Sequence, residues 1–201
     1  MSYAILLILS YFLGAIPFGL IIGKAWRGID IRDHGSGNIG ATNVFRTLGP
    51  GPGTVVFVAD VLKGLMPVVA AKQIAPGIGW LPVAAGMSSI LGHTLSVFLK
   101  FKGGKGVATS LGVAIGLTPI IAAIAFGLWV AIFAVTRYVS VASMLACIGV
   151  PVMMWATDCP LEYRLFGMLV GAYVIVKHRS NIVRLIQGKE NRFGGKAASE
   201  G

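Results

Sequence analysis

Long apolar runs broken by short polar segments dominate this chain. The runs cover about residues 3–23, 53–71, 80–99, 106–118, 119–136, 138–156 and 161–176. They reach or approach the ~20 residues with which an α-helix crosses a bilayer. No ten-residue stretch alternates apolar and polar positions, so a membrane β-barrel is not expected. The pattern predicts an all-α fold: a polytopic membrane helical bundle of seven transmembrane helices, one domain over residues 1–201. Small residues recur at helix-packing spacing (Ser10/Gly14, Gly19/Gly23, Gly112/Gly116), which lets neighbouring helices approach closely. Pro17 is expected to kink the first helix. The chain has no visible internal repeat, unlike many transporters.

The fourth run is the short one. Thirteen helical residues rise only about 20 Å, against a hydrocarbon core of ~30 Å. Fusing 106–136 into one helix through Thr118–Pro119 would give six crossings instead. The charges favour seven. With the N-terminus outside, Lys24, Arg27, Arg32 and Arg46, then Lys100, Lys102 and Lys105, then Arg137 and the whole basic tail lie in the cytoplasm, which is fourteen of the seventeen basic residues. Only Lys72 and Arg164 fall outside, and Lys63 lies within the second span. Fusion would send Arg137 and the tail outward, against the positive-inside bias.

Composition agrees. Hydrophobic residues make up 56% of the chain and charged ones 12%, where a soluble domain carries about 25%. The first run is too long for a secretory h-region and lacks a basic flank, so it reads as a retained helix. Cys147 and Cys159 suggest neither a disulfide framework nor a CxxC site. Seven acids and three histidines leave little for a carboxylate-rich metal site. The polar stretch from Glu190 onward is expected to fray.

Three segments on the expected cytoplasmic face carry the chemistry. The first, Gly35-Ser36-Gly37-Asn38-Ile39-Gly40-Ala41-Thr42-Asn43 with Arg46, joins alternating glycines to short polar side chains ahead of a helix. Turned amides and a helix N-terminus both favour an anion, and a guanidinium matches phosphate oxygens. The second, Lys102-Gly103-Gly104-Lys105-Gly106-Val107-Ala108-Thr109, is not a Walker A motif, because Leu99 and Gly106 stand where Gly and Ser/Thr are required. Exposed amides, an ammonium and a following helix still suit phosphate. The third is Lys177-His178-Arg179-Ser180-Asn181 with Arg184, Gly188 and Glu190, where His178 and Asn181 share a helix face. Asp60 and Lys63, i and i+3 in the second span, read as a buried ion pair. His93 reads as a packed histidine, and Ser140 and Ser143 as wall residues of either the site or a helix interface.

Together these segments resemble the bacterial membrane glycerol-3-phosphate acyltransferases that use acyl phosphate as donor. The resemblance rests on Gly35–Arg46 with Thr47-Leu48-Gly49, Asp60-Val61-Leu62-Lys63-Gly64, Gly103–Thr109, Arg137–Ser143 and His178–Glu190, and covers nearly the whole chain. Ile39 stands where that family usually has Pro. The resemblance implies an enzyme of the bacterial inner membrane with a cytoplasmic active site, working on glycerol 3-phosphate and acyl phosphate among membrane lipids. It implies no cofactor, no metal, no nucleic acid and no obligate protein partner. Ser36, Arg46, Lys105, Ser143, His178 and Asn181 would hold glycerol 3-phosphate. Gly103 and Gly104, with Asn38, Thr42 and Asn43, would hold the donor's phosphate, and Thr109 would also bind substrate. Catalysis would fall to Lys105, His178 and Arg46.

The histidines lack the H-x4-D partner of the soluble acyltransferases: His34, His93 and His178 meet Ile39, Phe98 and Val183. Direct attack by the substrate hydroxyl is therefore expected, with His178 or a donor phosphate oxygen accepting the proton. An anion transporter would place its polar motifs at mid-membrane, and a purely structural partner would have no use for three phosphate-type loops. A CDP-alcohol phosphotransferase would need an acidic metal-binding array.

Overall fold

The computed structural model describes residues 2–194. Among them there are ten α-helices, two short 3-10 turns and no strand. Helix α1 (Tyr3–Ala15) and α2 (Phe18–Arg27) share the first apolar run, and α3 (Ala41–Leu48) follows the first glycine loop. Next come α4 (Pro50–Ile74), α5 (Trp80–Thr94), α6 (Val107–Leu117), α7 (Pro119–Thr136), α8 (Val139–Trp155) and α9 (Leu161–Lys177). A short α10 (Arg179–Ile186) ends the bundle. Four helical stretches are long and apolar enough to cross a membrane: Tyr3–Arg27, Pro50–Ile74, Trp80–Leu99 and Pro119–Thr136. Val107–Leu117 and Val139–Trp155 are shorter apolar helices.

Residues 106–136 form two helices, as the charge pattern requires, because Pro119 starts α7 where its missing N–H costs nothing. At Pro17 the disruption goes further than a kink within one helix: α1 stops at Ala15 and α2 starts at Phe18, since a proline both removes a donor and clashes with the preceding turn. The freed carbonyls find partners: Lys63 Nζ donates to Ile16 O at 3.0 Å and Ser96 Oγ to Ala15 O at 2.7 Å. Lys63 is also 2.7 Å from Asp60 Oδ1, the pair expected from their spacing. His93 Nδ1 lies 3.7 Å from the same oxygen, and all three side chains are buried.

Helices α1 and α5, α4 and α6, α7 and α8, and α8 and α9 pack as neighbours. Glycine sets the closest approaches. A Cβ on Gly14 would fall on the Ser89 carbonyl of α5, and one on Gly64 or Gly112 on the Thr109 or Val61 carbonyl across the α4–α6 contact. Apolar clusters fill the spaces between, one around Val68, Ile90, Val113 and Val174, another around Ile31, Ile39, Val44 and Val56. Ile39 therefore serves as a core residue at the position where a proline was expected. The chain alternates in direction, so that α4, α6 and α8 begin, and α5, α7 and α9 end, at one end of the bundle.

Candidate active site

That end holds a cavity of about 560 Å³. Its mouth is lined by Ser36, Asn38, Thr42, Arg46, Lys105 and Asn181. Its depth is lined by apolar side chains of α6 to α9, among them Leu111, Phe126, Val150 and Phe166. Helices α3, α6 and α8 each present their first turn to the mouth without a side-chain cap. Their unpaired N–H groups and dipoles add positive potential at one place.

Asn43 builds the first loop. It is buried, and its Nδ2 donates to Ile31 O, His34 O and Asn38 O at 2.9–3.0 Å while its Oδ1 accepts from Ser36 N at 2.8 Å. Asn38 Oδ1 accepts from Gly40 N at 2.8 Å, which sets the entry to α3. Arg46 then projects one turn further along α3. Its guanidinium donates to Asn191 O at 3.2 Å and lies over the Phe193 ring.

The second loop meets the third segment through Lys105, whose Nζ donates to Asn181 Oδ1 at 2.5 Å. Asn181 Nδ2 passes the link to Glu190 Oε1 at 2.6 Å, which also accepts from Ser140 Oγ at 2.8 Å. Arg184 Nε donates to Glu190 Oε2 at 2.8 Å. Arg184 alone touches the Glu190 carboxylate, Lys105 is linked to it through Asn181, and Arg46 feels only its charge, leaving an excess of positive charge at the mouth. Ser143 is buried and accepts from Trp129 Nε1 at 3.1 Å.

Titration follows from this crowding. Burial pushes the Lys105 ammonium down to about 8, with Glu190 opposing and Arg184 and Arg46 reinforcing the shift. Burial likewise pushes His178 down to about 4, helped by the charge of Lys105. Its Nδ1 lies 2.8 Å from the Val174 carbonyl and must be the donor, so the neutral ring keeps a lone pair on Nε2. For Glu190 burial favours the neutral acid, but hydrogen bonds from Asn181, Ser140 and Arg184 outweigh it and hold the carboxyl below its ordinary value.

Nine of the twelve residues expected to bind substrate line this one cavity: Ser36, Asn38, Thr42, Asn43, Arg46, Lys105, Ser143, His178 and Asn181. Gly103, Gly104 and Thr109 are not among its lining. The amides of Gly103 and Gly104 are given to Thr94 O at 3.2 Å and His93 O at 3.1 Å. A Cβ on either glycine would fall on His93, so the diglycine lets the loop pass close to α5. Thr109 is fully buried against α4.

The expectation of a frayed end from Glu190 is corrected over 190–193; residues 195–201 lie outside the described part. Glu190 enters the charge cluster, and Phe193 N donates to Arg137 O at 2.9 Å while its ring meets Phe133 edge-on. Glu190 and Arg184, named in the third segment, and Ser140, read as a wall of either the site or a helix interface, were assigned no role in substrate binding, and all three line the cavity. The available signal was a lone acid between Lys189 and Arg192 in a strongly basic tail. Among the described residues, no three His, Cys, Asp or Glu side chains gather at one point.

The family model described as glycerol-3-phosphate acyltransferase matches residues 4–188. A glycerol-3-phosphate acyltransferase of Synechococcus sp. (strain JA-2-3B'a(2-13)) is 47% identical over 98% of both chains. One from Aquifex aeolicus is 43% identical over 96% of this chain and 100% of its own. The crystal structure of PlsY (YgiH), an integral membrane glycerol 3-phosphate acyltransferase in its glycerol 3-phosphate form, superposes with a TM-score of 0.92 at 44% identity, covering 96% of each chain. Its lysophosphatidic acid form gives 0.90. By sequence and by fold, the chain belongs to the glycerol-3-phosphate acyltransferase family.

Proposed function

We propose that this protein transfers an acyl group from acyl phosphate to the 1-hydroxyl of glycerol 3-phosphate, releasing lysophosphatidic acid and phosphate. The observation that carries this reading is the shape of that cavity. Its mouth gathers three cations, one carboxylate and three uncapped helix starts, and its depth is apolar. Two phosphates and one hydrocarbon chain match those two ends. The related PlsY structures, named for their glycerol 3-phosphate and lysophosphatidic acid forms, support the same acceptor and product.

Arg46, Lys105, Ser36, Ser143, His178 and Asn181 would hold glycerol 3-phosphate, and Asn38 and Thr42 beside the start of α3 the donor phosphate, with Asn43 fixing the loop that carries them. The hydroxyl oxygen attacks the acyl carbon, the carbon–oxygen bond to phosphate breaks, and phosphate leaves with the bonding pair. Lys105 and Arg46 stabilise that charge, and fixed orientation supplies much of the remaining acceleration. The hydroxyl proton passes to His178 Nε2 or to a donor phosphate oxygen. A histidine held near 4 is a weak base at neutral pH, which supports the phosphate.

The topology proposed with this function has seven crossings and the N-terminus outside. Arg46, Lys105, Arg137, Arg184 and most other cations then lie at the cavity end, while Lys72 and Arg164 lie at the other. The positive-inside bias makes the cavity end cytoplasmic, in the bacterial inner membrane.

Mass spectrometry of purified protein in detergent, given both substrates, tests the reading. Lysophosphatidic acid and free phosphate in equal amounts are expected, and their absence from intact protein sinks it. Steady-state kinetics of His178→Ala then divide the two proton acceptors. A kcat loss of about tenfold supports the phosphate, whereas 10²–10⁴, the usual range for a general base, supports His178.

A further inference from the structure

The apolar depth of the cavity is graded along two helices. On α8, Ser143, Ala146, Val150 and Met154 all line it, spaced three or four residues apart on one helix face. The polar member sits nearest the mouth and the bulkiest lies farthest away. From Ser143 to Met154 the helix rises about 16 Å. On α9 the opposing wall runs from His178 at the mouth through Val170 to Phe166 and Gly167 at the far end. The side chains at that end are buried: Met154 is 1% exposed and Phe166 7%. Gly167 sits so close that an added Cβ would stand 2.8 Å from Met154 Sδ.

Resting on the function proposed above, we infer that Met154, backed by Gly167 and Phe166, is the end stop that limits acyl-chain length. The donor class is then straight-chain acyl phosphates whose methyl end reaches no deeper than Met154. A chain that is too long must leave terminal methylenes unburied or push the stop aside. The walls above the stop set the cut-off by depth. Ala146 lies two helical turns nearer the mouth than Met154, so a large side chain there would shorten the usable depth by about 12 Å.

Decanoyl, myristoyl, palmitoyl, stearoyl and arachidoyl phosphate, assayed with purified wild-type protein in detergent, give the chain-length profile of kcat/KM. Met154→Ala is expected to move the cut-off to longer chains, Gly167→Ala to shift it slightly shorter by displacing the Met154 sulfur, and Ala146→Phe to move it much shorter. The KM for glycerol 3-phosphate, read at the mouth, stays that of the wild type in all three. Identical profiles in wild type and Met154→Ala overturn the inference while leaving the acyl transfer itself standing. Should Ala146→Phe fail to fold, the direction of the Met154→Ala shift decides alone. A wild type that makes no lysophosphatidic acid from any chain refutes the underlying function instead.

Discussion

Lys105 carries its charge at a cost set by burial, and the sign of that cost gives a pH dependence. Its pKa is lowered to about 8, so the ammonium that attracts phosphate is present below that pH and lost above it. We expect kcat/KM for glycerol 3-phosphate, which reports groups of the free enzyme, to fall as pH rises through about 8. In Lys105→Arg this limb should disappear, because a guanidinium stays charged over the whole range. Glu190 is the anion that raises the Lys105 pKa. Glu190→Gln should therefore move the limb to lower pH, and an unchanged limb would show that the two groups are uncoupled. Asn43 presents a different case, since its amide spans four loop contacts. Asn43→Ala should lower stability by about 1–3 kcal/mol, read as a drop in Tm in detergent.

At the scale of helices, backbone contact through glycine holds the mouth in shape. Helix α6 begins immediately after Lys105, and it rests on α4 where Gly64 meets the Thr109 carbonyl and Gly112 the Val61 carbonyl. Gly64→Ala would force these helices apart, costing about 1–3 kcal/mol as overpacking does and displacing the lysine. We expect a lowered Tm together with a raised KM. Gly127→Ala on α7, where an added Cβ meets nothing within 4 Å, is the control and should leave Tm unchanged or higher. A Gly64→Ala protein as stable and active as wild type would mean that this contact does not position Lys105. The Asp60–Lys63 pair acts at the same scale, since it also closes the break at Pro17. Removing only Lys63 would leave a buried carboxylate unpaired, which typically costs 3–5 kcal/mol.

Across the whole molecule, the alternation of helix direction brings distant segments to one end. Single cysteines introduced at Ser36, Lys102 and Ser180, in a background with Cys147 and Cys159 replaced by serine, should react with a membrane-impermeant thiol reagent only from the cytoplasmic side. A cysteine at Gly77 or Asp158 should react from the opposite side. Labelling of the first three from different faces would dismantle both the topology and the shared cavity.

What the amino-acid pattern determined by itself was the all-helical fold and the apolar character of its main helices, because lipid admits only segments that satisfy their own backbone; the stop at Ala15 and the short helices α3 and α10 were not legible in it. The pattern also marked three glycine- and cation-bearing segments as candidates for one site, and residues from all three line one cavity. Only the tertiary structure decided which groups remain available there. The Gly103 and Gly104 amides are given to α5, Asn43 is spent on its own loop, and Glu190, expected to be loose, pairs with Arg184 and accepts from Asn181 and Ser140. Such choices depend on which carbonyl or carboxylate arrives from elsewhere in the chain. Local sequence sets the donors, and long-range packing assigns their partners.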